Sequence, residues 1–301
     1  MKKKIDIYLQ PPYLMGNEKK YINDAIDSNW ISPYGDYVLR LENIIKKTTN
    51  SKYALLLNSG TSAIHLALKC LNISRFDFVI CPSFTFAGTA FPILYEKGIP
   101  IFIDSDKFWN IDPNILRDCL KKYNKKRKKI KAVISVNTYG MPCNYKDIKN
   151  ICKEFSVPLI EDAAESVGSK FNNQQTGSFG DIGIFSFNGN KLLTTSAGGC
   201  LLTNNKNFYE KAKILSNQSK LNKPYYYHKD IGYNYRMSNI LASIGFAQFQ
   251  DLKEKIRIKR KIHSYYRNKI TKYLDIFDIH DEYDNENKYE SNFWLNSIII
   301  K

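Results

Sequence analysis

Short apolar runs recur along this chain, each followed by an amphipathic stretch, at about thirty-residue spacing. This alternation narrows the possible folds more than any other feature. The runs are 53–57, 78–80, 99–103, 131–136 and 158–160. Between them lie 63–71, 86–96, 112–120 and 145–155, whose apolar residues recur at helical period. A strand that returns to its sheet through a helix lies parallel to the previous one. The pattern therefore predicts an α/β fold: a mainly parallel mixed sheet flanked by helices. Further helices are expected at 16–28, 36–47 and 208–215. A long helical pattern from 238 to about 274 is expected to need a kink. Strands are expected at 182–187 and 198–203, and 293–300 reads as a strong strand with no partner after it, an exposed apolar edge. The residues 281–291 read as a loop.

Composition excludes several classes. A hydrophobic content of 43% with 14% aromatics is incompatible with disorder. No apolar run reaches the length of a membrane span. Met1-Lys2-Lys3-Lys4 begins like a leader but lacks a following apolar core, so a cytoplasmic protein is expected. The six cysteines form no C-x-x-C pair and the four histidines are scattered. Thiols in reduced form, and no metal site, are expected. The formal charge is +16. It accompanies a general abundance of Lys, Asn, Ile and Tyr, and the densest basic run, 121–131, reads as a solvated helix end and loop, not a nucleic-acid surface.

Chemistry is expected at the carboxyl ends of the parallel strands. The run 182–187 ends in Asn188-Gly189-Asn190, residues that tolerate a tight turn, and then in Lys191. A lysine fixed after a buried strand is unusual, because most lysines sit on solvated faces. When desolvated its amine becomes a nucleophile. The run 53–57 leads into Asn58-Ser59-Gly60-Thr61-Ser62. Such a junction is either an ordinary helix cap or a phosphate site. Pro158-Leu159-Ile160 delivers Glu161 and Asp162, and 81–86 delivers Phe86. A helix start for a phosphate, a carboxylate for a ring nitrogen, a lysine for an aldehyde and an aromatic for a flat ring are together what pyridoxal phosphate requires.

These residues resemble the DegT/DnrJ/StrS family of nucleotide-sugar aminotransferases. The resemblance is carried by Asn58 to Ala63, Pro82 to Phe86, Ile160-Glu161-Asp162-Ala163-Ala164-Glu165, Gly180 to Lys191 with Thr194-Thr195 and Gly198-Gly199, and Gly232-Tyr233-Asn234-Tyr235-Arg236-Met237. It implies the aspartate-aminotransferase-like, fold-type I architecture of PLP-dependent transferases. A large PLP-binding domain at 1–235 would be followed by the start of a small domain at 236–301. Asn188-Gly189-Asn190 before the lysine, and Phe102 to Ser105 leading to Trp109-Asn110-Ile111-Asp112-Pro113, are similar to one branch. That branch makes UDP-4-amino-4,6-dideoxy-N-acetylglucosamine for surface glycans.

By position, the resemblance implies that Lys191 is the Schiff-base lysine and proton shuttle, and that Asp162 meets the pyridinium nitrogen. Glu165 would lie near the cofactor's phenolic oxygen. Phe86 would stack on the ring, and Gly60, Thr61, Ser62 and Ser186 would bind the phosphate. Asn234 or Arg236 would reach the neighbouring subunit's cofactor, which implies a homodimer with shared sites. Trp30, Tyr34 and Gly35 would lie near the sugar nucleotide. Glutamate would donate the amino group to a UDP-linked 4-keto sugar. Related dehydratases carry His in place of the lysine, so Lys191 implies transamination. Family members continue beyond the point where this chain stops, so an incomplete small domain is expected. The alternative is a truncated, non-catalytic PLP-binding homologue.

Overall fold

The computed structural model describes residues 8–125, 129–273, 275–282 and 288–301. The Lys2–Lys4 tract, the middle of the basic run (126–128), residue 274 and part of the expected acidic loop (283–287) lie outside the described residues.

Two helices, α1 (Glu18–Asp27) and α2 (Asp36–Thr49), precede the sheet. The alternation then follows in order: β1 (Tyr53–Leu57), α3 (Gly60–Cys70), β2 (Phe78–Pro82), α4 (Ala87–Tyr95), β3 (Ile99–Ile103), α5 (Pro113–Lys125), β4 (Ile130–Val136), α6 (Tyr145–Glu154) and β5 (Leu159–Asp162). After a small hairpin of β6 (Lys170–Phe171) and β7 (Gln174–Gln175) come β8 (Ile182–Ser186), β9 (Gly199–Thr203) and α7 (Lys206–Leu215).

These strands build one seven-stranded sheet in the order β1-β9-β8-β5-β4-β2-β3. The pairs β3/β2, β2/β4, β4/β5 and β5/β8 are parallel. β9 runs antiparallel to both β8 and β1. Most strand residues are buried, as expected when helices cover both faces and the strands read as continuous apolar runs. One face buries Leu55, Leu57, Ile134, Ile160, Ile182 and Ile184 with α3 and α7. The other buries Leu56, Phe185 and Leu202 with α2 and with α8 (Asn239–Gln250). The carboxyl ends of β1, β2, β4, β5 and β8 share one edge, so Asn58, Ser83, Asn137, Asp162 and Ser186 converge there.

The long helical pattern breaks, as its length demands. α8 ends at Gln250; the next residue, Asp251, has a φ of -95° and a ψ of 5° that leave the helical region, and α9 (Leu252–Ile270) restarts at once. The C-terminal expectation is corrected. Only β12 (Ile298–Ile300) is a strand, and it is paired antiparallel with β10 (Phe277–Ile279). Residues 289–290 form β11 (Tyr289–Glu290), paired with β6. The apolar residues at 293 and 294 belong to no strand; Phe293 takes a φ of +48° and turns the chain back toward the sheet edge. Hydrophobicity alone does not separate a strand from an anchor of this kind. No helix of the described residues is long and apolar enough to cross a membrane. The described residues hold no His/Cys/Asp/Glu group arranged for a metal ion.

Candidate active site

The sheet edge opens into a cavity of about 570 Å³. Gly60, Thr61, Phe84, Phe86, Thr89, Tyr139, Asp162, Glu165, Ser186, Lys191 and Trp294 are among its walls. Its floor is the end of β5. Strand alternation sends consecutive side chains to opposite faces, so the two neighbouring carboxylates have different fates. Glu161 points into the protein and accepts from the amides of Gly177 (2.6 Å) and Phe179 (2.7 Å) and from Asn137 Nδ2 (3.1 Å). Asp162 faces the cavity. Its Oδ2 accepts from Thr89 Oγ1 at 2.8 Å and its Oδ1 from the Ala164 amide at 3.1 Å. Burial pushes the Asp162 carboxyl above its ordinary value, against the pull of Thr89, the Ala164 amide and the charge of Lys191. A buried carboxylate in this condition is best satisfied by a cation set against it.

Lys191 follows β8 through the expected turn, which its own amide closes on the Asn188 carbonyl at 3.0 Å. Its Nζ lies 3.2 Å from Glu165 Oε1 and 4.1 Å from the centre of the Trp294 ring. Glu165 is oriented by the Tyr139 amide, which donates to Oε2 at 2.8 Å. Burial, followed by the nearby Glu165 charge, pushes the Tyr139 phenol up. The single lysine therefore meets one carboxylate, Glu165, while Asp162 stays open to the cavity.

The other wall is the start of α3. Ser59 is its N-cap and accepts from the Ser62 amide at 3.0 Å. The amides of Gly60 and Thr61 lie in the first turn, where a helix offers no acceptor of its own. Gly60 is required by close approach: a Cβ there would stand 2.9 Å from Ser186 Cβ. This contact brings the end of β8 against the helix start. Phe86 is 75% exposed at the cavity rim.

Several expected residues lie elsewhere. The Ser62 hydroxyl is turned to Asn58 Oδ1 (2.7 Å) and the Ser59 carbonyl (2.8 Å), inside the cap. Arg236 points inward to Glu42, 3.7 Å away. Asn234 is exposed, and its carbonyl accepts from Asn58 Nδ2 at 3.3 Å. Trp30 and Tyr34 are exposed, and Tyr34 bonds Asn217 at 3.3 Å. Gly35 is the N-cap of α2, packed against Asn239. None of these lines the cavity of this chain. Sequence reasoning missed Thr89, Tyr139 and Trp294. Thr89 could have been found, because it follows Phe86 at the i+3 spacing of one helix face. Trp294 gave no signal beyond an apolar run.

Fold and site together define a pyridoxal-phosphate-dependent transferase of fold type I, and the donor set fits that cofactor: amides at a helix start, a buried carboxylate and a lysine at one cavity. The chain belongs to the DegT/DnrJ/EryC1/StrS aminotransferase family, whose profile matches residues 12–301. It is 44% identical to EpsN of Bacillus subtilis (strain 168), a protein that bears the name of a pyridoxal phosphate-dependent aminotransferase, over 98% of this chain and 75% of that one. It is 37% identical to a GDP-perosamine synthase of Escherichia coli O157:H7 over 96% of this chain and 77% of that one. Among solved structures, PseC of Helicobacter pylori, an aminotransferase of pseudoaminic acid biosynthesis, superposes with a TM-score of 0.87 at 26% identity, covering 99% of this chain and 78% of PseC. The chain is thus a PLP-dependent enzyme of the sugar aminotransferase family.

Proposed function

We propose that this enzyme transfers the amino group of glutamate to a nucleotide-linked 4-keto-6-deoxy sugar, UDP-4-keto-6-deoxy-N-acetylglucosamine, in the cytoplasm, for surface glycan synthesis. One observation carries the reaction type: Lys191, Glu165 and Asp162 meet at one cavity, with the amine paired to Glu165 and Asp162 open. The sugar class is supported by relatives whose names specify it. These include a UDP-4-amino-4,6-dideoxy-N-acetyl-β-L-altrosamine transaminase of Campylobacter jejuni, 32% identical over 79% of this chain and 63% of that one.

When bound, pyridoxal phosphate supplies an aldehyde for amines and an electron-withdrawing ring. Asp162, itself held by Thr89, would keep the ring nitrogen protonated; Gly60, Thr61 and Ser186 would hold the phosphate, and Phe86 would pack on the ring. Lys191 would anchor the aldehyde, and its free amine would be the base that holds and moves the proton of the amino donor's α-carbon in both half-reactions. Lysine suits this double role because a desolvated amine is both nucleophile and base. Glu165 orients the amine while it is free. A second copy of the chain would bring the exposed Asn234 to its neighbour's cavity, so a homodimer is the working form. Units split near residue 235 complete this reading.

The test is a purified-enzyme assay with glutamate and a panel of UDP-, dTDP- and GDP-linked 4-keto sugars, with 2-oxoglutarate and the amino sugar identified by mass spectrometry. Turnover on GDP sugars alone would overturn the UDP assignment and leave transamination standing. Unchanged turnover in Lys191→Ala would overturn the mechanism. Cofactor binding with no half-reaction on glutamate would favour a non-catalytic homologue.

A further inference from the structure

The segment 291–294 is fixed to the site by more than packing. Asn292 is fully buried. Its Nδ2 donates to the carbonyls of Glu165 and Val167, each at 3.0 Å, and its Oδ1 accepts from the Trp294 amide at 2.9 Å. The Asn292 amide donates to Ser169 Oγ at 2.9 Å, and that hydroxyl donates to the Gly140 carbonyl at 2.7 Å. Gly140 has a φ of +96°, and a Cβ there would overlap the Asn292 carboxamide. Phe293 stacks on His263 with ring centres 3.7 Å apart. Trp294 is thereby held from its own side. It then reaches Lys191 twice. Its Nε1 donates to the Asn190 carbonyl at 2.8 Å, on the turn that projects the lysine, and its ring face receives the Lys191 ammonium at 4.1 Å.

Two carboxylates at this cavity can compete for one ammonium. Asp162 is the more buried, and its two oxygens take hydrogen bonds from Thr89 and the Ala164 amide, with no direct contact to the ammonium. Yet Lys191 pairs with Glu165. A lysine stem is flexible at each of its bonds, so a contact on one side selects among many placements. We propose that Trp294 is a positioning residue that makes this selection: it holds Lys191 on the Glu165 side and leaves Asp162 free for the cofactor's ring nitrogen. The proposal rests on the reading of Lys191 as the reacting amine. Its test in cofactor-free protein is independent of turnover, so the two fail separately.

The experiment uses Trp294→Phe, which keeps a ring face and loses the N–H, and Trp294→Leu, which loses both. In cofactor-free protein, Lys191 acylation by acetic anhydride is followed by peptide mass spectrometry, with Lys69 as internal reference. Cofactor affinity is measured by spectral titration. A cation–π contact in a partly desolvated site predicts that the Leu variant changes the Lys191 labelling rate, and weakens cofactor binding, on the order of tenfold, while Phe restores both to within about twofold of the parent. Phe is also expected to lose hydrogen-exchange protection at 188–192 alone. Equal behaviour of Phe and Leu in labelling and affinity would assign the effect to packing and overturn the proposal, as would a folded Leu variant identical to the parent. If Leu fails to fold, the Phe variant decides: unchanged protection at 188–192 overturns the pinning of the turn, and loss confined to it supports the proposal.

Discussion

Replacing Thr89 with Val tests how Asp162 is kept charged. The two residues are nearly inaccessible, with exposures of 2% and 4%, and the Thr89 hydroxyl donates to Asp162 Oδ2 at 2.8 Å. Valine keeps the shape and removes the donor. A hydrogen bond to a charged group contributes about 1.5–3 kcal/mol. The loss falls on the ionised form of Asp162, so it corresponds to a further rise of about one to two pKa units at roughly 1.4 kcal/mol per unit. The sign follows from the existing shift. Burial already holds the folded pKa of Asp162 above its unfolded value. A carboxyl raised in this way favours folding when protonated, and it costs stability as pH rises through the folded pKa. Thr89→Val enlarges that cost. The stability gap between parent and variant should be smallest at the acid end, below the folded pKa, and widen as pH rises through it. It should open to about 1.5–3 kcal/mol at pH 8. Urea unfolding of the cofactor-free protein at several pH values measures it. A gap independent of pH would show that Thr89 does not act through the Asp162 charge. Adding the cofactor provides a second reading: a ring-nitrogen cation beside Asp162 should narrow the gap.

Other positions separate structural from chemical roles. Glu161→Gln, next door, leaves one amide of the Gly177/Phe179 pair facing an NH₂ group. It should lower the melting temperature by the equivalent of about 1–3 kcal/mol while the affinity of the folded protein for cofactor stays within about threefold, as read by spectral titration. Gly35→Ala places a Cβ on the Asn239 carboxamide that receives the Tyr37 amide at 2.9 Å, so a cost of roughly 1–3 kcal/mol is expected in denaturant unfolding. Burial, opposed by the amides of Phe108 and Asn110, raises Asp106 to about 6. Its folded pKa exceeds its unfolded one, so this group costs stability as pH rises from about 4 to 6. Asp106→Asn should therefore gain on the parent over that interval, and thermal melts showing the variant losing ground as pH rises would contradict this.

Much of the site was legible because it is local. A strand end, a turn and the residue after it are consecutive in sequence, so Lys191, Asp162, Phe86 and the Ser59–Thr61 cap could each be placed by period and turn chemistry. Boundaries held within a residue for β1 and β3. The misreadings are of another kind. Phe293 and Trp294 have the composition of a strand, and only the tertiary structure shows that Asn292 and a left-handed Phe293 fold them onto Lys191 instead. Tyr139 acts through its backbone amide, which no residue type announces. The partner of Ile298–Ile300 is Phe277–Ile279, across a loop whose length does not specify pairing.

The placement of these two classes of residue has a chemical consequence. Asp162 ends β5 and is paired with Ile184 of β8 in the middle of the sheet, whereas Lys191 lies beyond the end of β8, in the turn that follows it. The sheet register therefore fixes Asp162, while the placement of Lys191 depends on its turn and on what holds that turn. Glu165, Tyr139 and Trp294 come from loops and from the C-terminal segment. They set the direction of one flexible amine, while the carboxylate stays where the strand puts it. The proposed transamination would use this division: Asp162 would hold still through both half-reactions, whereas the Lys191 amine would have to move to carry a proton. Rigid strand ends suit the first task, and a turn clamped from a distant segment suits the second. Substitutions at 139, 165 or 294 should accordingly alter the behaviour of Lys191 first, and those at 89 or 162 that of the cofactor ring.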